Sequence, residues 1–264
     1  MDFSIIAFLV LSFGALISAF ILEGGHLLAL LVGTAAIIVF GGTFGAVGLS
    51  FPIEDIKRIP KIMKVLFSYK PIDNYKITTQ FHELTTIARA EGILALEDAA
   101  SRIGIKHPLI TKGLRLIVDG VDTNSIYKSL VTDAENIDAR HEAGFAIFEC
   151  AGGYSPTLGI IGTVMGLVHV LGNLSDPSSL GPKIAVAFIA TLYGVGTANL
   201  LWLPIATRLK NISEKESLSN QMIINAIVSL QQGKHPKLVM DDMCSFLTPE
   251  EREKIFKDLK LGDN

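Results

Sequence analysis

The run Cys150-Ala-Gly-Gly-Tyr-Ser-Pro-Thr-Leu-Gly-Ile-Ile-Gly-Thr-Val-Met-Gly-Leu-Val-His-Val-Leu171 contains no Lys, Arg, Asp or Glu. Wound as a helix rising about 1.5 Å per residue, it crosses the roughly 30 Å hydrocarbon core of a bilayer. Three further runs share this character: Phe3–Leu22, Leu27–Phe51 and Ile184–Leu203. Of the 23 Lys and Arg residues, only Lys183 lies in the connections on one side of these runs. The other side carries all the rest, so the positive-inside bias predicts that both termini and the long middle stretch are cytoplasmic. The fold class expected is an all-α membrane protein with four transmembrane helices. A helical cytoplasmic domain is inserted between spans 2 and 3, and a helical tail follows span 4.

Composition narrows the function classes. The mean hydropathy of +0.45 suits a membrane protein with a soluble part. A net charge of −3 gives no electrostatic ground for a nucleic-acid partner. The N-terminus Met-Asp-Phe-Ser lacks the basic region of a cleaved signal peptide, and Glu23–His26 is not a cleavage site. Cys150 and Cys244, the two cysteines, fall on or near the reducing side and suggest neither a disulfide nor a metal site. No nucleophile–base arrangement or phosphate loop stands out, so no enzyme and no cofactor are expected.

Four segments follow: a hairpin at 1–51, a cytoplasmic insert at 52–142, a second hairpin at 143–204 and a tail at 205–264. The insert opens on a basic amphipathic helix. Ile53, Ile56, Ile59, Ile62, Met63 and Leu66 take one face, and Lys57, Arg58, Lys61 and Lys64 the other. Such a helix either lies against the inner leaflet or is simply solvated. Helical patterns follow at Gln80–Gly92, Ile93–Ile103, His107–Val118 and Asn124–Ile137, the last leading into the third span. Pro204–Gln231 extends the fourth span. Gly233–Pro236 then breaks the chain, and Thr248-Pro249-Glu250-Glu251 has the form of an N-cap opening a final helix.

The spans are rich in small residues: Gly41 and Gly45, then Gly159, Gly162 and Gly166, then Gly194 and Gly196. Small residues let helices approach closely in lipid, within one subunit or between copies. No charged residue lies deep in any span, although such residues usually mark ion relays. A conducted ion would need its carboxylate from a partner. The polar groups on offer are the hydroxyls of Thr157, Thr163, Thr191, Thr197 and Tyr193, with Asn199 and an outer His169. Each Thr either bonds its own helix or lines a polar path. Pro156 and Pro204 near the cytoplasmic ends of spans 3 and 4 are static kinks or hinges.

In this order, several segments resemble the flagellar stator A subunit, the MotA/PomA family, which belongs with the TolQ and ExbB energisers. They are Ser155-Pro-Thr-Leu-Gly-Ile-Ile-Gly-Thr-Val-Met-Gly-Leu-Val168, Asp176-Pro-Ser-Ser-Leu-Gly-Pro182 and Ala185-Val-Ala-Phe-Ile-Ala-Thr-Leu-Tyr-Gly194. Leu203–Ala206 in the membrane part joins them, as do Ala88-Arg-Ala-Glu-Gly-Ile-Leu-Ala-Leu-Glu97 and Val118-Asp-Gly120 in the insert.

The resemblance implies a homo-oligomeric ring of five A subunits in the bacterial cytoplasmic membrane. The ring surrounds two MotB/PomB-like B subunits, each bringing one membrane helix with an essential Asp and a peptidoglycan-binding domain. Ion flow, H+ or Na+, would be converted into torque on the rotor. The implied ion-path residues are Thr163, Thr191 and Tyr193, with Pro156 and Pro204 coupling flow to motion. Arg89 and Glu97 match the two charged positions facing the rotor switch protein FliG, and are about 12 Å apart if one helix carries both. Thr163 and the Thr191–Gly194 run look like the sodium type. Ala190 stands where sodium-type chains tend to have a second Thr, and both ions stay open. A TolQ/ExbB-like energiser is the alternative, but those relatives typically have three spans.

Overall fold

The computed structural model describes residues 3–172 and 177–259, and every element among them is helical. Helix α1 is Phe3–Leu22. The second span, Leu27–Ser50, begins as a 3-10 turn at Leu27–Leu30. It breaks at Leu31–Val32 and restarts as α2, Gly33–Ala36. It then widens into a π-helical turn at Ile37–Gly41 and ends as α3, Gly42–Ser50. Two short helices follow, α4 at Ile53–Ile56 and α5 at Ile59–Ser68. Then come α6 (Asn74–Glu91), α7 (Leu96–Ile103) and α8 (Pro108–Val118).

The third and fourth spans are parts of much longer helices. α9 runs unbroken from Thr123 to Leu171. α10, Pro177–Thr197, passes through a π-helical turn at Ala198–Trp202 into α11, Leu203–Gln231. The widened turn has a local cause. Pro204 has no N–H for the Leu200 carbonyl, and its ring crowds that oxygen, so the preceding turn loosens. α12 (Pro236–Cys244) and α13 (Pro249–Asp258) close the chain.

Two compact units divide the chain. One joins the chain up to Tyr69 with His141–Asn211; the other joins Lys70–Arg140 with the chain from Ile212 onward. α5, which follows the expected start of the insert at Pro52, belongs to the first of these units. Its apolar stripe, Ile59, Ile62, Met63, Leu66 and Phe67, packs on Phe145, Phe148, Trp202 and Ile205 of the membrane unit. From Ile59 onward that stripe is covered by protein, while Ile53, at its start, stays exposed. Lys57, Arg58, Lys61 and Lys64 remain exposed. Elsewhere the membrane unit turns apolar side chains outward, as at Phe3, Leu22 and Leu49, as a lipid solvent demands.

The second unit has an ordinary buried core. Phe81 and Leu84 of α6, Leu96 of α7, Ile110 and Leu114 of α8, and Met222 and Ile227 of α11 meet in it. Its helix ends carry the expected signals. The Asp73 carboxylate accepts from the Lys76 backbone N–H at 2.9 Å. Thr248 and Glu251 form a reciprocal capping box at α13. Gly92, at φ +90°, ends α6 in a conformation that other residues adopt poorly.

His107 opens α8 ahead of Pro108. Its Nδ1 is buried with no hydrogen-bond partner among the described residues. Burial lowers its pKa below the usual histidine value, so the folded unit binds this proton less readily than the unfolded chain. Stability contributed here is complete above the ordinary pKa of about 6.5 and falls as pH drops below it. Hydrogen-exchange protection of α8 amides in the full protein should therefore decline on acidification below that value, and His107→Gln should flatten the decline.

Candidate functional site

The membrane unit's third and fourth spans touch backbone to backbone. A Cβ on Gly159 would sit 2.8 Å from the Ala190 carbonyl oxygen, and one on Gly194 would sit 2.5 Å from the Ser155 carbonyl oxygen. Both obstacles are main chain and cannot rotate away. α9 and α10 therefore meet without intervening side chains, and neighbouring polar groups are forced into the seam.

Two hydroxyl pairs occupy it. The Oγ1 atoms of Thr163 and Thr191 are 2.5 Å apart. Thr163 also lies 2.9 Å from the Ala187 carbonyl across the seam and 3.2 Å from its own helix at Gly159. Thr191 reaches the Gly159 carbonyl at 3.4 Å. Eight residues earlier on α9, about 12 Å along the helix, Ser155 Oγ stands 2.8 Å from Thr197 Oγ1. It also reaches the Gly194 carbonyl at 3.1 Å. Each hydroxyl has one proton to donate and its own oxygen also accepts, so acceptor oxygens, hydroxyls and carbonyls together, outnumber donors along the seam. The result is a strip of oxygen atoms without a titratable group. It offers oxygen atoms alone and cannot retain a proton by itself.

Thr163 and Thr191, singled out from the sequence, are thus brought together. Ser155 and Thr197 complete the seam. Thr197 had stood among the candidate hydroxyls, and Ser155 only within a motif. The i, i+4, i+8 spacing of Ser155, Gly159 and Thr163 puts them on one face and was the signal for it. Thr157 is exposed and donates to the Tyr154 carbonyl of its own helix at 2.7 Å. Asn199 does the same to Val195 at 2.9 Å.

Tyr193 points elsewhere. Its hydroxyl donates to the Leu30 carbonyl and accepts from the Val32 N–H at 3.3 Å. These backbone groups flank the break in the second span. Left unpaired in lipid, each would cost several kcal/mol, so Tyr193 stitches the break closed instead of joining the seam.

The two prolines fall at matching levels. Pro156, half-buried beside Ser155, leaves the Gly152 carbonyl without its usual donor. Gly152 packs directly on Leu203, the residue before Pro204. Asp176, part of a motif quoted above, lies outside the described residues.

In the second unit, Arg89 and Glu97 are both exposed. One continuous helix does not carry them. α6 ends at Glu91, Gly92 turns the chain, a 3-10 turn spans Ile93–Ala95, and α7 begins at Leu96. Arg89 sits in the last turn of α6 and Glu97 in the first turn of α7, each matched to the sign of its helix end. Leu94, between them in sequence, is 76% exposed.

Residues 101–222 match the model of the MotA/TolQ/ExbB proton channel family. The chain is 35% identical over 255 residues to motility protein A of Bacillus subtilis, covering 96% of this chain and 94% of that one. It is 31% identical over 252 residues to the chemotaxis protein PomA of Vibrio alginolyticus, covering 96% and 98%. The solved flagellar MotAB stator complex from Bacillus subtilis is similar at TM-score 0.87 and 35% identity, covering 94% of this chain and 98% of that one. The structure of C. jejuni MotAB has the same TM-score at 26% identity, covering 95% and 97%.

Substitution at the seam separates close approach from mere small size. Gly159→Ala should destabilise the membrane unit by about 1–3 kcal/mol or more. Gly14→Ala, where a Cβ meets nothing within 4 Å, should be tolerated. Unfolding temperatures of the two detergent-solubilised variants provide the comparison.

Proposed function

Because the chain belongs to the motility protein A family, within the MotA/TolQ/ExbB proton channel family, we propose that it is the A subunit of a flagellar stator that turns ion flow into torque. The match runs nearly the full length of motility proteins A and includes the first hairpin, which favours the stator over a TolQ/ExbB-like energiser. The observation that carries the mechanism is the seam of Thr163, Thr191, Ser155 and Thr197, an oxygen-lined strip without a carboxylate. A B subunit, as in the MotAB complexes, supplies a membrane helix whose Asp lies against this strip. The ion reaches that Asp along the hydroxyls and carbonyls. Its binding and release change the charge that the seam faces, and the A ring, five around two B subunits, steps past the anchored helices. One elementary charge crossing 100 mV releases about 2.3 kcal/mol, so each step is small. Pro156 and Pro204 flex where the helix hydrogen bonding is already interrupted.

Both termini lie in the cytoplasm of this inner-membrane protein. Ile5, near the start of α1, packs in the same cluster as α5 and Ile205, which supports an N-terminus on the lysine-rich side. Arg89 and Glu97 meet FliG. Exposed ion pairs contribute only about 0–1 kcal/mol each, which suits contacts that form and break with each step.

Swimming speed of cells that depend on this chain, measured across sodium concentrations at fixed pH with and without a protonophore, tests the ion. With Na+ as the ion, speed rises with sodium and survives the protonophore, and Thr163→Val or Thr191→Val shifts the dependence to higher sodium. With H+, the protonophore abolishes motion, sodium has no effect, and the hydroxyls hold water. Loss of motility without any ion dependence would defeat the proposal. Separately, Arg89→Glu or Glu97→Lys should lower torque in a tethered-cell assay while the stator complex still assembles at wild-type yield. Failure to assemble would make these residues structural.

A further inference from the structure

We propose that Lys57, Lys61 and Lys64 form a face that binds anionic phospholipid headgroups in the leaflet where the second span ends. The inference rests on the four apolar helices crossing a bilayer and not on the stator reading.

The depth of this segment follows from its neighbours. The second span ends at Ser50, and Leu49 and Ile53, on either side of that end, are 93% and 60% exposed. Apolar groups so bare belong against hydrocarbon. α5 packs on Phe148 and Ile205 beside Trp202, and Trp is enriched where a bilayer meets water. α4 and α5 therefore lie at headgroup depth.

The packing of α5 fixes which way its lysines point. Leu66 is 1% exposed, and a Cβ on Gly144 of α9 would sit 3.1 Å from Ile62 Cδ1. With that side held against protein, Lys61 and Lys64 share the opposite face of α5, and Lys57 stands one turn before Lys61. All three are exposed. Among the described residues none of them has an ion-pair partner. Asp55 is taken by Arg58 at 3.1 Å. Glu54 offsets one lysine, so the segment keeps a positive excess. Glu142 and Glu149, exposed on α9, pair with none of the three. Free ammonium groups at headgroup depth meet the negative potential of anionic lipids, and their carbon stems lie along apolar surface while the charge reaches phosphate. Val65, next to Lys64, is 50% exposed. A water-soluble polyanion would leave Leu49, Ile53 and Val65 bare, whereas a phospholipid covers them and meets the charges as well.

The test places bimane on Val65→Cys in the full chain, with Cys150→Ser and Cys244→Ser, in vesicles of equal phosphatidylglycerol and phosphatidylcholine. A doxyl label is carried on one lipid or on the other. Labelled phosphatidylglycerol should quench more strongly. Lys57→Gln, Lys61→Gln and Lys64→Gln should each lower that preference by up to about fivefold, and together should abolish it. Lys57→Arg, Lys61→Arg and Lys64→Arg together should preserve it. Equal quenching by the two labels in the otherwise unchanged chain overturns the proposal, as does a preference that survives the triple glutamine variant. Absence of quenching by either label would show the face covered by protein and would equally overturn it. If the labelled background does not assemble, quenching of Trp202, the chain's one tryptophan and a neighbour of α5, gives the same comparison. Neither ion flow nor torque is read, so failure leaves the stator assignment untouched.

Discussion

The membrane unit depends on one constraint: in hydrocarbon, a polar group must find its partner inside the protein. Where α9 and α10 meet at Gly159 and Gly194, main chain lies against main chain. Four hydroxyls and several carbonyls are packed into the same narrow contact. The glycines bring the backbones close enough for Ser and Thr to bridge them, and the carbonyls so exposed give the hydroxyls acceptors inside the protein. The same rule governs the break in the second span, where Tyr193 pairs with Leu30 and Val32. It governs Pro204 as well, where the turn widens around a missing donor.

The second unit follows the logic of water-soluble proteins. Its core is closed and mostly aliphatic, and α6, α12 and α13 each start on a side-chain cap. α9 and α11 each run without interruption across the division between the units. The chain therefore passes from a lipid-facing composition to a water-facing one within a single helix. Hydropathy follows that change, while the backbone hydrogen-bond ladder does not register it.

Much of this was legible in the sequence. The four spans follow from uncharged runs, and Thr163 and Thr191 had been singled out as hydroxyl positions, although not as partners of one another. What stayed hidden depended on partners far along the chain. The apolar stripe of α5 reads the same whether lipid or protein covers it, and only packing on Phe148 and Ile205 decides. Tyr193 lies between residues of the polar seam in sequence, yet the helical twist turns it toward Leu30. The break at Gly92 was visible as a glycine, but not as the positive φ that ends α6. Ser155 had its spacing as a signal, although spacing alone does not reveal that Thr197 faces it.

The hydroxyl pairing also ties the hydrogen bonding of one side chain to the other. Thr163 keeps carbonyl partners at 2.9 and 3.2 Å if Thr191 is lost. Thr191 is left with a single carbonyl at 3.4 Å if Thr163 is lost. The two single losses are therefore unequal. Loss of Thr191 alone leaves Thr163 its two carbonyls, and loss of Thr163 alone leaves Thr191 on its longest contact.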